Sequence, residues 1–227
     1  MMAIDVVSDL RPRFGPVRDQ GARPTCLAFA ASDTHAALRD PWTALSCEFA
    51  FYHAQRRAGR PPTVGARLTD ILAALKEDGQ PVESDWPYLA TLPANLDGYG
   101  PPDKVLVFRR NGEPQLDGVN EIIAHIDAGS PAVMLMMLSD AFYSPDAFGI
   151  VRAPIGEAAD PARRHAVIAV GHGRIDGGRA ILVRNSWGTD WGLVGHAWLP
   201  ETFIAPRLTR VALLTEEIHV PAQNLAA

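Results

Sequence analysis

Arg184-Asn185-Ser186-Trp187-Gly188-Thr189-Asp190-Trp191-Gly192 is the stretch on which the reading of this chain turns. Far upstream stands a second, Val17-Arg18-Asp19-Gln20-Gly21-Ala22-Arg23-Pro24-Thr25-Cys26-Leu27-Ala28-Phe29-Ala30, and between the two lies His165. Together they offer a thiol, an imidazole, a carboxamide to orient the ring and a second carboxamide for an oxyanion. Those are the parts of covalent acyl-transfer chemistry.

Taken singly, each residue has an ordinary reading. Cys26 before an alanine-rich run is a small apolar side chain, and His165 opens an apolar strand pattern in which a histidine can simply be hydrogen-bonded. Asn185 suits a turn, Gln20 a surface loop, and Trp187 a core. The conjunction carries the inference. A thiol at a helix start loses its proton more easily because the exposed N–H groups and the helix dipole favour an anion. An imidazole takes that proton, and a carboxamide oxygen fixes its tautomer. Cys26 and His165 are 139 residues apart, a separation that suits cysteine peptidases of the papain kind.

Periodicity supplies the frame. A helix is expected from Cys26 toward Leu38 with Thr25 as its cap, and another over 47–57 capped by Ser46. Leu68, Ile71, Leu72 and Leu75 mark a third, stopped by Gly79. Val119, Ile122, Ile123 and Ile126 mark a fourth, ending at Gly129. Strands follow at 132–138, 166–170, 180–184 and 196–199, with Asp176-Gly177-Gly178 as a turn. Strand alternation places His172, seven positions from His165, on the opposite face. Helices first and strands second give an α+β class in two lobes with a cleft between them.

Composition narrows the function classes. The chain has 227 residues, 47% of them hydrophobic, and a net charge of -5, which suits a packed fold without a positive field for nucleic acid or an anionic membrane. The run Pro131-Ala132-Val133-Met134-Leu135-Met136-Met137-Leu138 is too short to span a bilayer. Residues 1–9 lack the pattern of a secretory leader. Two cysteines, Cys26 and Cys47, suit a reducing compartment, so a cytoplasmic location is expected. The histidines show no ligand spacing, and no metal or cofactor is expected.

The chain resembles the papain family of cysteine peptidases. Gln20, Gly21 and Cys26 match the family's opening motif in spacing, and Ala28-Phe29-Ala30 continues it. His165-Ala166-Val167 with Gly171 resembles the histidine strand, and Asn185-Ser186-Trp187-Gly188 with Trp191-Gly192 resembles the asparagine motif closely. Asp9-Leu10-Arg11, Leu45-Ser46 and Trp86-Pro87-Tyr88 are weaker echoes, so the similarity spans residues 8–214.

The resemblance implies a single catalytic domain over 1–227. It places a helical lobe at about 20–107 and an antiparallel, β-barrel-like lobe at about 108–214 with an N-terminal crossing segment, followed by a tail at 215–227. It implies a peptide or protein substrate. Cys26 is the implied nucleophile, His165 base then acid, Asn185 the orienting amide and Gln20 the oxyanion donor. Gly65, Arg164 and Trp187 are the implied substrate-binding residues. Arg163-Arg164 beside the main specificity pocket implies tolerance of acidic or polar side chains. The match begins too near Met1 to leave room for the family's pro-segment, so control by a separate inhibitor or regulator protein, access or substrate choice is expected.

Several positions depart from the family pattern. Arg23 replaces a disulfide cysteine and Cys47 has no evident partner. Pro24 replaces a glycine and removes an N–H, Leu27 replaces an aromatic, and Val64-Gly65 keeps one glycine of two. Pro24 and Leu27 keep open a papain-like binding module with little turnover. Acyl transfer to an amine is a further alternative.

Overall fold

A computed structural model describes residues 4–115 and 118–218 of the chain. The helices come first, after strand β1 (Ile4–Asp9). Helix α1 (Cys26–Ala37) starts at the expected residue, but Thr25 makes no side-chain cap; its hydroxyl lies 2.9 Å from the Tyr88 phenol instead. Helix α2 (Cys47–Ala58) is capped as expected, Ser46 Oγ accepting the Phe49 N–H at 3.1 Å. Helix α3 (Leu68–Ala73) runs on as wider π turns over Ala74–Asp78 and stops at Gly79. Gly79 has φ 77°, and a Cβ there would lie 2.8 Å from the Phe108 carbonyl, so both backbone and space demand glycine.

The remaining strands are β2 (Arg109–Gln115), β3 (Ala132–Leu138), β4 (Asp160–Ile175), β5 (Gly178–Arg184), β6 (His196–Pro200) and β7 (Leu208–Ile218), with α4 (Val119–Asp127) and α5 (Glu201–Ile204) between them. All pair antiparallel in the order β2-β7-β3-β4-β5-β6, and β1 pairs with the far half of β4. The sheet is open, which corrects the barrel-like expectation. Its end strands β2 and β6 do not meet each other. The 74–78 turns pack on β2, and Ile150 bridges to Trp198 on β6. Strands β2 and β7 lacked a clear alternating pattern and were not foreseen. Residues 215–218 belong to β7 rather than to a tail; the rest of that expected tail, 219–227, lies outside the described residues.

Alternation along the central strands explains why they read as nearly unbroken apolar runs. Val133, Ala166, Ile168, Val170, Ala180 and Leu182 face the core shared with α1, α2 and α3. Met134, Met136, Val167, Ala169, Ile181 and Val183 face a second core closed by α4, Phe142, Trp191 and Phe203. A bulge between Ala169 and Gly171 shifts the register of β4 on β5. That bulge overturns the expected separation of the two histidines. His172 reaches Asp127 of α4 at 2.6 Å, while His165 packs on Phe142 of the same core.

Arg23 makes a buried two-pronged ion pair with Glu48 of α2 at 2.6 and 2.9 Å. Glu48 also accepts the Leu89 N–H at 3.1 Å and the Tyr99 hydroxyl at 2.5 Å. The carboxylate is therefore fully satisfied, which a charge with 0% exposure requires.

Glu48→Ala strands the Arg23 guanidinium and should cost about 3–5 kcal/mol of stability, whereas Arg23→Met with Glu48→Leu should recover most of it; urea unfolding compares the two. Burial also lowers His35 to about 3, with Arg110 adding to the effect, and His165 and His196 to about 4. Each is neutral when folded yet binds a proton when unfolded below about pH 6.5. Their contribution is thus complete above that pH and is lost as pH falls toward 4, by up to about 1.4 kcal/mol per pH unit for each. Urea midpoints at pH 7 and pH 5 should show a clear fall.

Candidate active site

Cys26 is the first residue of α1, and α1 lies against β4, which carries His165. The backbone N–H groups of Ala166, Leu27 and Cys26 itself act on the thiol so as to favour its anion. Ala166 follows His165 directly, so the start of α1 packs against the part of β4 that carries the imidazole. Cys26 keeps part of its surface open, yet the protein crowded around the sulfur pushes the thiol up, and the three N–H groups oppose that rise. Burial likewise holds His165 down to about 4 against the effect of its Asn185 hydrogen bond.

The ring's tautomer follows from its partner. Asn185 Oδ1 accepts the Ser186 backbone N–H at 2.8 Å and lies 2.7 Å from His165 Nε2. The amide oxygen therefore faces the ring, so neutral His165 carries its proton on Nε2 and leaves Nδ1 as the basic nitrogen. Trp187 covers this bond with ring centroids 4.5 Å apart, and Tyr143 stacks on Trp187 at 5.3 Å.

Gln20 arrives by a separate route. The segments 18–20 and 186–188 run antiparallel as a short ladder, with Gln20 N–H to Ser186 O at 2.9 Å and Gly188 N–H to Arg18 O at 3.2 Å. Ser186 Oγ donates to Gln20 Oε1 at 2.7 Å, and Gln20 Nε2 donates to the Arg23 carbonyl at 2.8 Å. With its oxygen held by Ser186, the amide presents its NH2 side to the Cys26 loop, and one of its two hydrogens serves Arg23. Asn185 and Ser186 thus direct the imidazole and the second carboxamide from adjacent positions.

The expected substrate-binding residues are less tightly built. Gly65 is exposed and lies beside the nucleophile loop, where a Cβ would stand 3.7 Å from the Pro24 carbonyl. Arg164 is exposed, bonds the Pro161 carbonyl at 3.2 Å and shares the strand face of Ala166. Arg163 is committed elsewhere, to Asp140 and Asp160.

A buried ionic cluster behind the site had no signature in the sequence. Asp33 of α1 pairs with Arg18 at 2.6 Å and with Arg184 at 3.1 Å. Arg184 also donates to the carbonyls of Gly15 and Pro16. It binds α1, β5 and the crossing segment together, through partners up to 169 positions apart. No local pattern encodes such a pairing.

The chain is similar to several cysteine proteases in sequence or in fold. A family model described as papain family cysteine protease matches residues 65–203, more than half of the chain, including His165 and Asn185. Cysteine proteinase 1 of Entamoeba histolytica is 24% identical over 191 residues, which is 80% of this chain and 58% of that protein. Caricain of Carica papaya is 29% identical over 78% of this chain and 49% of its own length. The chain thus spans about half to three fifths of these relatives. Among solved structures, xylellain, a cysteine protease from Xylella fastidiosa, aligns with a TM-score of 0.75 at 23% identity, covering 94% of this chain and 87% of its own. A Carica candamarcensis cysteine protease in complex with E-64 aligns at 0.68 and 22%, covering 92% and 97%. With that family model spanning most of the sheet and the residues that orient its histidine, the chain belongs to the papain family of cysteine proteases.

Proposed function

We propose that this chain is a cysteine peptidase that hydrolyses peptide bonds in peptide or protein substrates through a covalent acyl-enzyme. The observation that carries the reading is the 2.7 Å bond from His165 Nε2 to Asn185 Oδ1, on a strand against which the helix that starts at Cys26 packs. In the proposed cycle the thiol proton passes to His165 Nδ1 as the sulfur bonds the substrate carbonyl carbon. The oxyanion so formed takes hydrogen bonds from the Cys26 backbone N–H and the second hydrogen of Gln20 Nε2. Collapse breaks the C–N bond while the imidazolium returns its proton to the leaving amine. Water then attacks the thioester by the same proton route, which releases the acid and restores the thiol.

Gly65 would line the acyl side of the substrate and Trp187 the leaving side, beside the group that protonates the amine. Arg164, bonded to a carbonyl rather than a carboxylate, would favour acidic or polar side chains in the specificity pocket; a peptide library tests this, and strict preference for large apolar residues would end the idea. A cytoplasmic location, consistent with two unpaired cysteines, is part of the same proposal.

Cys26→Ala should abolish peptide hydrolysis. Gln20→Ala should lower kcat by about a hundred- to a thousandfold with less effect on KM. A thiol-directed epoxide, E-64 being the first to try, should label Cys26 in native protein and not in the denatured control. An unchanged rate in Cys26→Ala would sink the assignment.

A further inference from the structure

We propose that Tyr88 is a positioning residue for the oxyanion site, holding Gln20 and the start of α1 in register through its phenol hydroxyl. The inference rests on the peptidase reading above and deepens it. Tyr88 lies outside both segments that carry the chemistry, in the proline-rich passage after α3. Its hydroxyl donates to the Gln20 carbonyl at 2.7 Å. The same oxygen lies 2.9 Å from Thr25 Oγ1. A phenol has one hydrogen. Since that hydrogen goes to the Gln20 carbonyl, Thr25 must be the donor in the second bond.

One atom of Tyr88 therefore ties the two ends of the loop 20–25 together, at the proposed oxyanion donor and at the residue before the nucleophile. This explains why Thr25 gives up the capping role. The loop is otherwise held by Ser186 at Gln20 and by Glu48 at Arg23, so removing the phenol oxygen would leave the Gln20 carbonyl and the Thr25 hydroxyl without this tie. The ring is fixed independently of its hydroxyl. It packs edge-on to Phe29 of α1 at 4.7 Å, and the Arg23 guanidinium, itself clamped by Glu48, lies over it at 5.0 Å. Tyr88 N–H also donates to Glu83 Oε1 at 2.8 Å. Burial raises the phenol above its ordinary value, so it remains a donor through neutral pH. Pro24 stiffens the same loop, and displacing its Gln20 end misaims a donor whose value depends on preorganisation.

Tyr88→Phe removes the oxygen and keeps the ring contacts. It should lower kcat for peptide amide hydrolysis by about tenfold, part of the hundred- to thousandfold set by a whole donor, with little change in KM. Alkylation of Cys26 by iodoacetamide proceeds by direct displacement and forms no oxyanion, so its rate should be unchanged in the same variant. In a Gln20→Ala background, Tyr88→Phe should have no further effect on kcat. Equal turnover by wild type and Tyr88→Phe overturns the inference, as does parallel loss of alkylation or full additivity with Gln20→Ala. Absence of turnover in the wild type would instead refute the peptidase reading.

Discussion

Everything at the site depends on a short ladder between two loops that are remote in sequence. Residues 18–20 and 186–188 pair through main-chain hydrogen bonds, and their side chains divide the remaining work. Asn185 turns its oxygen to the imidazole, while Ser186 turns its hydroxyl to Gln20. The same backbone contact therefore sets which nitrogen of His165 is basic and how the Gln20 amide, the proposed oxyanion donor, is turned. Main-chain pairing is a strong way to fix two carboxamides, because neither need be held by a flexible side chain alone.

The second constraint is electrostatic and lies behind that ladder. Asp33 sits between two buried guanidinium groups, and Arg23 pairs with Glu48 on the opposite side of the loop. Buried ion pairs seldom add net stability over apolar packing, but breaking one is costly. They define geometry more than they stabilise it. At Arg23 the link to α2 is a planar, two-pronged contact that fixes both distance and orientation. Both cysteines are unbridged.

Burial around the catalytic pair works against charge. It raises the thiol and lowers the imidazole. The N–H groups at the start of α1 and at Ala166 oppose this for the sulfur, where negative charge must develop. Trp187 and Tyr143 shield the His165–Asn185 bond on the other side. Shielding strengthens a hydrogen bond whose partner is fixed.

The sequence by itself determined the elements with local signatures. The helix starts at Cys26 and Ser46, the stop at Gly79 and the apolar strands 132–138 and 180–184 follow from periodicity and capping, which act within a few residues. The motifs that hold Gln20, Cys26, His165 and Asn185 were visible in the sequence because each is a run of neighbouring residues. Only the tertiary structure decided that the sheet stays open, that a bulge after Ala169 turns His172 to the face of His165, and that Thr25 serves Tyr88 rather than its own helix. It alone revealed the Arg23–Glu48 and Arg18–Asp33–Arg184 contacts. Those depend on charges and hydroxyls meeting across long chain separations, where the winning partner is set by burial and geometry rather than by any neighbour in the sequence.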